Sequence, residues 1–302
     1  WDNKPYPTFN EPAYSSTDVV VTISKVTNDV VSNVSPDVDL RHIPHAVDYD
    51  IFKKLDQGAM DSFREEYIEN SRLSQDKFTV FWNNRNARRK QSGSLIFWFK
   101  DFLDKVGHDK AQLVMHTDPF DPHGQNLQAI IEKLGLVNGE VIFSRDKLPS
   151  ESLASLYNFA DVTINVADAE GFGLGTLESL ACETPIIVTM TGGMQEQVTN
   201  GEDWFGVGIE PASKAIIGSQ EIPWIYEDRV SGDDVVAALE KIFNMTPEER
   251  EALGQQGREH ALTGFGFKQY VSLWDQTLTD VHEKYGSWDT RSGYKTWSLS
   301  EV

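Results

Sequence analysis

Val162-Thr163-Ile164-Asn165-Val166-Ala167-Asp168-Ala169-Glu170-Gly171-Phe172-Gly173-Leu174-Gly175-Thr176-Leu177-Glu178 is the stretch whose reading decides the fold. Residues 162–166 are apolar or β-branched except for Asn165, as in a strand covered on both faces. A glycine-rich turn follows, and residues 174–182 then read as a helix. Similar alternation continues on either side. Strands are predicted at 78–82, 112–116, 141–144 and 186–189, and helices at 95–106, 126–134 and 151–159, the last opened by Ser150. Short buried strands separated by helices predict an α/β fold, a doubly wound parallel sheet of Rossmann-like type.

The flanks are less regular. Residues 19–24 read as a strand and 25–34 as a helix, followed by a loop carrying Pro36 and Pro44. Residues 53–76 are polar and helical in pattern, suited to passing between domains. The C-terminal third reads as helical: 234–243 with Asp233 as its cap, a helix opened at Thr246-Pro247-Glu248-Glu249, and a last one at 270–285. Thr246 to Glu249 is a capping box with proline at the first helical position. The tail to Val302 has no pattern.

Ligands of an open parallel sheet bind beyond the carboxyl ends of its strands, which directs attention to the loop after residue 166. Gly171, Gly173 and Gly175 let the backbone turn tightly and approach a ligand closely. They stand at a helix N-terminus, where N–H groups and the dipole favour phosphate. A packing role alone would also account for them. The carboxylates Glu170 and Glu178 are better suited to sugar hydroxyls than to phosphate, which they would repel. The competing reading makes Glu178 a solvated helix residue and Glu170 a favourable charge near the N-terminus.

With 302 residues, 39% hydrophobic and 25% charged, the composition is that of an ordinary globular chain. Its formal net charge of -20 argues against generic binding of nucleic acid or anionic membrane surfaces. An anionic small ligand would need cations gathered locally. Asn83-Asn84-Arg85-Asn86-Ala87-Arg88-Arg89-Lys90 provides them, with four of the 27 lysines and arginines inside six positions. No apolar run approaches the roughly 20 residues needed to span a bilayer. Cys182 is the only cysteine, so a reducing, cytoplasmic setting is expected. Because the chain begins at Trp1 and its first fifty residues read like a domain's end, a fragment is expected.

Glu170-Gly171-Phe172-Gly173-Leu174-Gly175-Thr176-Leu177-Glu178, followed by Ser179-Leu180-Ala181-Cys182-Glu183-Thr184-Pro185, resembles the E-x7-E signature of the family-4 (group 1) retaining glycosyltransferases of the GT-B fold. The resemblance extends to Tyr157-Asn158-Phe159-Ala160-Asp161-Val162 before the motif and Thr191-Gly192-Gly193-Met194-Gln195-Glu196 after it. Upstream, His42-Ile43-Pro44-His45-Ala46-Val47-Asp48 is similar to the family's interdomain segment. Glu183 and Ala46 stand where the family often has glycine.

The resemblance implies a GT-B protein with most of the N-terminal domain absent. It divides the chain into the end of an acceptor domain (1–50), an interdomain segment (51–76), a nucleotide-sugar donor domain (77–264), and a C-terminal helix and tail (265–302) able to pack back on the N-terminal domain. The implied activity is transfer of a sugar from a UDP- or GDP-linked donor to a carbohydrate, lipid or protein acceptor, with retention. Glu178 would hold the ribose and Glu170 the transferred sugar. Arg85 and Lys90, five positions apart, would bind the diphosphate and offset its growing charge. Arg88 and Arg89 are read as solvated, with Arg89 replacing Lys90 if the register shifts by one. Backbone N–H groups of Phe172, Gly173 and Leu174 would face sugar and phosphate. The base would lie against Ser144, Arg145 and Asp146, with Leu148 nearby. His116, at a strand end, is read as structural, and His45 and His123 are not assigned to the chemistry.

No metal or other cofactor is expected. Asp37-Val38-Asp39 and Asp48-Tyr49-Asp50 have the D-x-D spacing of a metal-dependent transferase fold, but their loop contexts make the matches accidental. The alternative functions are a nucleotide-sugar-binding domain without transferase activity of its own and a nucleotide-sugar epimerase.

Overall fold

The structure is a computed structural model that describes residues 6–68, 73–287 and 289–290. Its elements, in order, are α1 (Glu11–Ser15), β1 (Val20–Thr22), α2 (Lys25–Val34), β2 (Leu40–His42), α3 (Gln57–Phe63), β3 (Phe78–Asn83), α4 (Ser92–Val106), β4 (Ala111–His116), α5 (Leu127–Leu134), β5 (Val141–Ser144), α6 (Ser150–Phe159), β6 (Val162–Asn165), α7 (Leu174–Ala181) and β7 (Ile186–Thr189), then α8 (Gln195–Val198), β8 (Gly206–Ile209), β9 (Ser213–Ile217), β10 (Ile225–Arg229), α9 (Gly232–Phe243), α10 (Pro247–Gly264) and α11 (Phe267–Tyr285).

Six strands form one parallel sheet in the order β5-β4-β3-β6-β7-β8. Strand order reverses between β3 and β6, the central pair, so the loops after these two strands diverge from a crevice. Both faces are apolar because alternate residues serve two separate cores. Phe78, Val80 and Trp82 join one, with Leu113, Met115, Ile187 and the helices α4 and α9. Phe81 faces the other, with Val114, Ile186, Val188, Tyr157 and Leu180. Every one of these except Phe78 is at most 2% exposed, so a one-residue register slip would exchange the two cores.

A second, two-stranded parallel sheet pairs β1 with β2, joined through α2. Ser24 caps α2, its side chain accepting from the Thr27 N–H. The C-terminal α11 reaches this unit: Arg41 meets Asp280 at 2.8 Å, Lys284 meets Asp39 at 3.3 Å, and the Tyr285 hydroxyl donates to the Asp18 carbonyl at 3.3 Å. The Tyr49 hydroxyl donates to the Ala261 and Phe265 carbonyls and so ties the segment between β2 and α3 to the end of α10.

Several expectations are corrected. β2 occupies part of the stretch read as a loop between Pro36 and Pro44. Ser231, not Asp233, caps α9, accepting from the Asp234 N–H; either residue type can cap, and the chain is extended at Ser231. The last helix begins at Phe267 instead of 270. The C-terminal third also contains β8 and the antiparallel β9–β10 hairpin, which its reading as helical misses. Two glycines in β8 and the charged run Glu227-Asp228-Arg229 in β10 conceal the strand pattern. The expected capping box at Thr246 is present, with Glu249 bonded back to the Thr246 N–H. Trp1 and the tail from residue 291 lie outside the described residues.

Candidate functional site

Lys90, from the loop after β3, and Glu170, from the loop after β6, meet across the switch point as an ion pair. Lys90 is only 8% exposed. Burial pushes its ammonium below the ordinary lysine value, and the Glu170 carboxylate works in the opposite direction. Arg89 lies beside them, donating to the Ala169 carbonyl at 2.6 Å and standing 3.9 Å from Glu170.

The backbone after Glu170 is held from behind. Gly192, with φ 51, packs so closely that a Cβ would lie 1.5 Å from the Glu170 carbonyl oxygen, so no other residue fits. Buried Gln197 donates to the Phe172 carbonyl at 2.8 Å and accepts from the Thr176 hydroxyl at 2.6 Å. Phe172 itself is buried, in edge contact with His45 and Phe265. Gly173, with φ 91, turns the chain into α7 without a side-chain cap, leaving that helix end open to an anion.

Glu178 lies just over one turn along α7. Its carboxylate accepts from the Tyr157 hydroxyl at 2.7 Å, and that hydroxyl accepts from the Asn83 amide at 2.8 Å. Burial pushes the Glu178 carboxyl up to about 7, opposed by the Tyr157 hydrogen bond. The Tyr157 hydroxyl is raised well above its usual range by burial and by the neighbouring Glu178.

Arg85 takes a different direction from Lys90. Its guanidinium is 62% exposed and engages Asp121 at 2.6 Å and His123 at 2.8 Å on the loop after β4. The hydrogen bond from Arg85 holds the Asp121 carboxyl far below its usual range. The structure therefore brings Lys90, Glu170 and Arg89 together and leaves Arg85 beside, not within, that group. Ser144 closes β5 and bonds to His116 Nδ1 at 2.9 Å; burial lowers His116. Arg145 is exposed, its guanidinium 5.4 Å from the Phe120 ring centre. Leu148 packs on the second core.

The reading of Arg88 and Arg89 as simply solvated is corrected. Arg88 is exposed, yet it grips Glu227 of β10 through two hydrogen bonds of 2.8 and 2.6 Å. Glu227 is 1% exposed and also accepts from Arg229 at 2.8 Å. Burial alone would raise its carboxyl, but the two guanidiniums hold it below its usual value. Asp168, also buried, takes Gln91 at 2.8 Å and Arg229 at 2.7 Å, and burial raises it against those partners. Sequence reasoning missed Asp168 and Glu227. The signal was available only for Asp168, which lies in the quoted loop. Among the described residues no group of three His, Cys, Asp or Glu side chains is placed to hold a metal, and no helix is long and apolar enough to cross a membrane.

A parallel sheet of order β5-β4-β3-β6-β7-β8, reversing between β3 and β6 where cation, carboxylate and open helix end meet, defines a Rossmann-type domain. The chain belongs to the glycosyl transferases of group 1, whose family profile matches residues 63–260. It is 30% identical over 148 residues to a D-inositol 3-phosphate glycosyltransferase of Paenarthrobacter aurescens, covering 49% of this chain and 33% of that protein. It is 30% identical over 193 residues to a GDP-mannose-dependent alpha-(1-6)-phosphatidylinositol monomannoside mannosyltransferase of Mycolicibacterium smegmatis, covering 61% and 47%. Those matches span a third to a half of the relatives' length. Among solved structures, sucrose-phosphate synthase of Thermosynechococcus elongatus superposes with a TM-score of 0.72 at 21% identity, over 91% of this chain and 61% of that one. Anabaena HepE in complex with UDP-glucose gives 0.68 at 15% identity, over 92% and 69%. These likenesses place the fold with the GT-B glycosyltransferases.

Proposed function

We propose that the chain binds a UDP- or GDP-sugar at the β3–β6 switch point and serves transfer of the sugar, with retention, to an acceptor. The observation that carries this reading is the pairing of Lys90 with Glu170 next to the open N-terminus of α7, with Glu178 half-buried on the same helix. Glu178 accepts from the ribose hydroxyls and Glu170 from hydroxyls of the transferred sugar. Lys90 and Arg89, with the N–H groups of Phe172, Gly173 and Leu174, hold the diphosphate and stabilise the charge that grows on it as the glycosidic bond breaks. Arg85 joins them on release from Asp121. Ser144 and Arg145 flank the base. Glu170 positions the sugar, and the acceptor attacks from the face that the diphosphate leaves.

Calorimetry with nucleoside, nucleoside diphosphate and nucleotide sugar tests the reading. Lys90→Ala should weaken binding of UDP or GDP far more than binding of the nucleoside. Glu178→Ala should weaken all three ligands by about 1.5–3 kcal/mol, the range for hydrogen bonds to charged groups. Equal losses for nucleoside and diphosphate in Lys90→Ala would remove Lys90 from the phosphate site. No binding of either diphosphate by the unaltered chain would reject the function.

A further inference from the structure

The β9–β10 hairpin lies outside the six-stranded sheet, yet one of its side chains enters the site. A cleft of about 180 Å³ opens among Arg89, Glu170, Gly171, Thr191 and Tyr226. It is smaller than the roughly 300–1,000 Å³ of pockets for drug-sized ligands, and so suits one small ring. Arg89, Glu170 and Thr191 come from the loops after β3, β6 and β7, which any sheet of this topology supplies. Tyr226 comes from β10 and forms the remaining wall.

Its position is fixed from both sides. Strand alternation turns Tyr226 away from Glu227, whose carboxylate is gripped by Arg88 and Arg229. The next N–H, of Asp228, donates to the Asp168 carbonyl at 2.8 Å. Two residues earlier, the Trp224 ring meets the edge of Phe9 at 5.7 Å, attaching the strand to the N-terminal segment. The hairpin is thus strapped to the loop that carries Glu170 at one end and to the N-terminal segment before α1 at the other.

We propose that Tyr226 is a specificity-determining residue for the hexosyl group of the donor, an inference that rests on the function proposed above. A tyrosine offers an apolar face for the C–H side of a pyranose and a hydroxyl able to donate to or accept from its equatorial oxygens. Glu170 and Arg89 supply an acceptor and a donor on other sides of the same cleft. Glu178, Lys90 and the N-terminus of α7, none of which lines this cleft, hold the nucleoside diphosphate, with Arg89 shared between it and the sugar, so Tyr226 acts on the sugar and not on the nucleoside diphosphate.

Calorimetry on the full chain compares UDP with UDP-glucose and GDP with GDP-mannose. Tyr226→Ala is expected to keep the affinity for the diphosphate within about twofold, which reports that the variant is folded, and to weaken the nucleotide sugar about tenfold, the loss of one good contact. Tyr226→Phe separates face from hydroxyl: it should retain the stacking but narrow the preference between epimeric sugars such as UDP-glucose and UDP-galactose. Unchanged affinity for every nucleotide sugar in both variants overturns the proposal. So does a parallel loss for sugar and diphosphate, since that reports a structural role. Failure of the unaltered chain to bind any diphosphate is a different result and rejects the underlying function instead.

Discussion

Glu178 and Lys90 are both charged groups taken partly out of water, and each has one close polar partner. Burial pushes both toward their neutral forms. The opposite charge of Glu170 works against that shift at Lys90, whereas Glu178 has only the neutral Tyr157 hydroxyl, and its carboxyl rises to about 7. The folded state therefore favours protonated Glu178. Stability from this group is complete below its ordinary value of 4.5 and is lost as pH rises through about 7. On the proposed function nucleotide binding has the reverse sign, because ribose hydroxyls donate best to the ionised form. Between pH 5.5 and 8.5 the ligand-free Tm should fall while affinity for UDP or GDP grows, and Glu178→Gln should flatten both trends. Matching slopes in that variant would assign the pH dependence to other groups. At this scale the E-x7-E motif drew attention to Glu170 and Glu178, and the cationic run to Lys90. Their partners were less legible: Tyr157 is 21 positions from Glu178, and Lys90 is 80 from Glu170. Such distances carry no periodic signal.

The elements were legible where apolar residues alone define them. β5 and β7, α2 and the start of α10 sit where their patterns place them: β7 is a buried run, α2 and α10 are capped by Ser24 and Thr246, and β5 is an apolar run at the sheet edge with Val141 buried. The β9–β10 hairpin was not legible, since its interior-facing residues include carboxylates whose burial depends on arginines elsewhere. That dependence predicts how it fails. Glu227→Ala leaves Arg88 and Arg229 without their shared acceptor and should lower stability by roughly 1.5–3 kcal/mol in urea unfolding. Arg88→Ala removes the more exposed cation, 60% against 28%, and leaves Arg229 on Glu227. It should cost less, about 1 kcal/mol. Limited proteolysis should find both variants cut first between residues 213 and 229. A larger loss from Arg88→Ala than from Glu227→Ala would show that the buried carboxylate is not the centre of the network.

At the scale of the whole molecule two fields would act on the anionic donor proposed above. The net charge of -20 repels it over long distances, while Lys90, Arg89 and the N-terminus of α7 attract it at contact. Salt distinguishes the two, because the Debye length shrinks from about 30 Å at 0.01 M to about 8 Å at 0.15 M. Long-range repulsion is then screened, while contacts a few ångströms apart and partly buried are not. Binding of UDP or GDP should therefore accelerate as salt rises over this interval, and dissociation should change little. This is opposite to the behaviour of sites fed by a cationic surface, where association slows with salt. Stopped-flow mixing at a series of chloride concentrations measures both rates. Lys90→Ala supplies the control, since loss of a contact charge should speed dissociation and leave the salt dependence of association as it was. A steep fall in the association rate with salt would show that the local cations project beyond the crevice and outweigh the acidic surface around them.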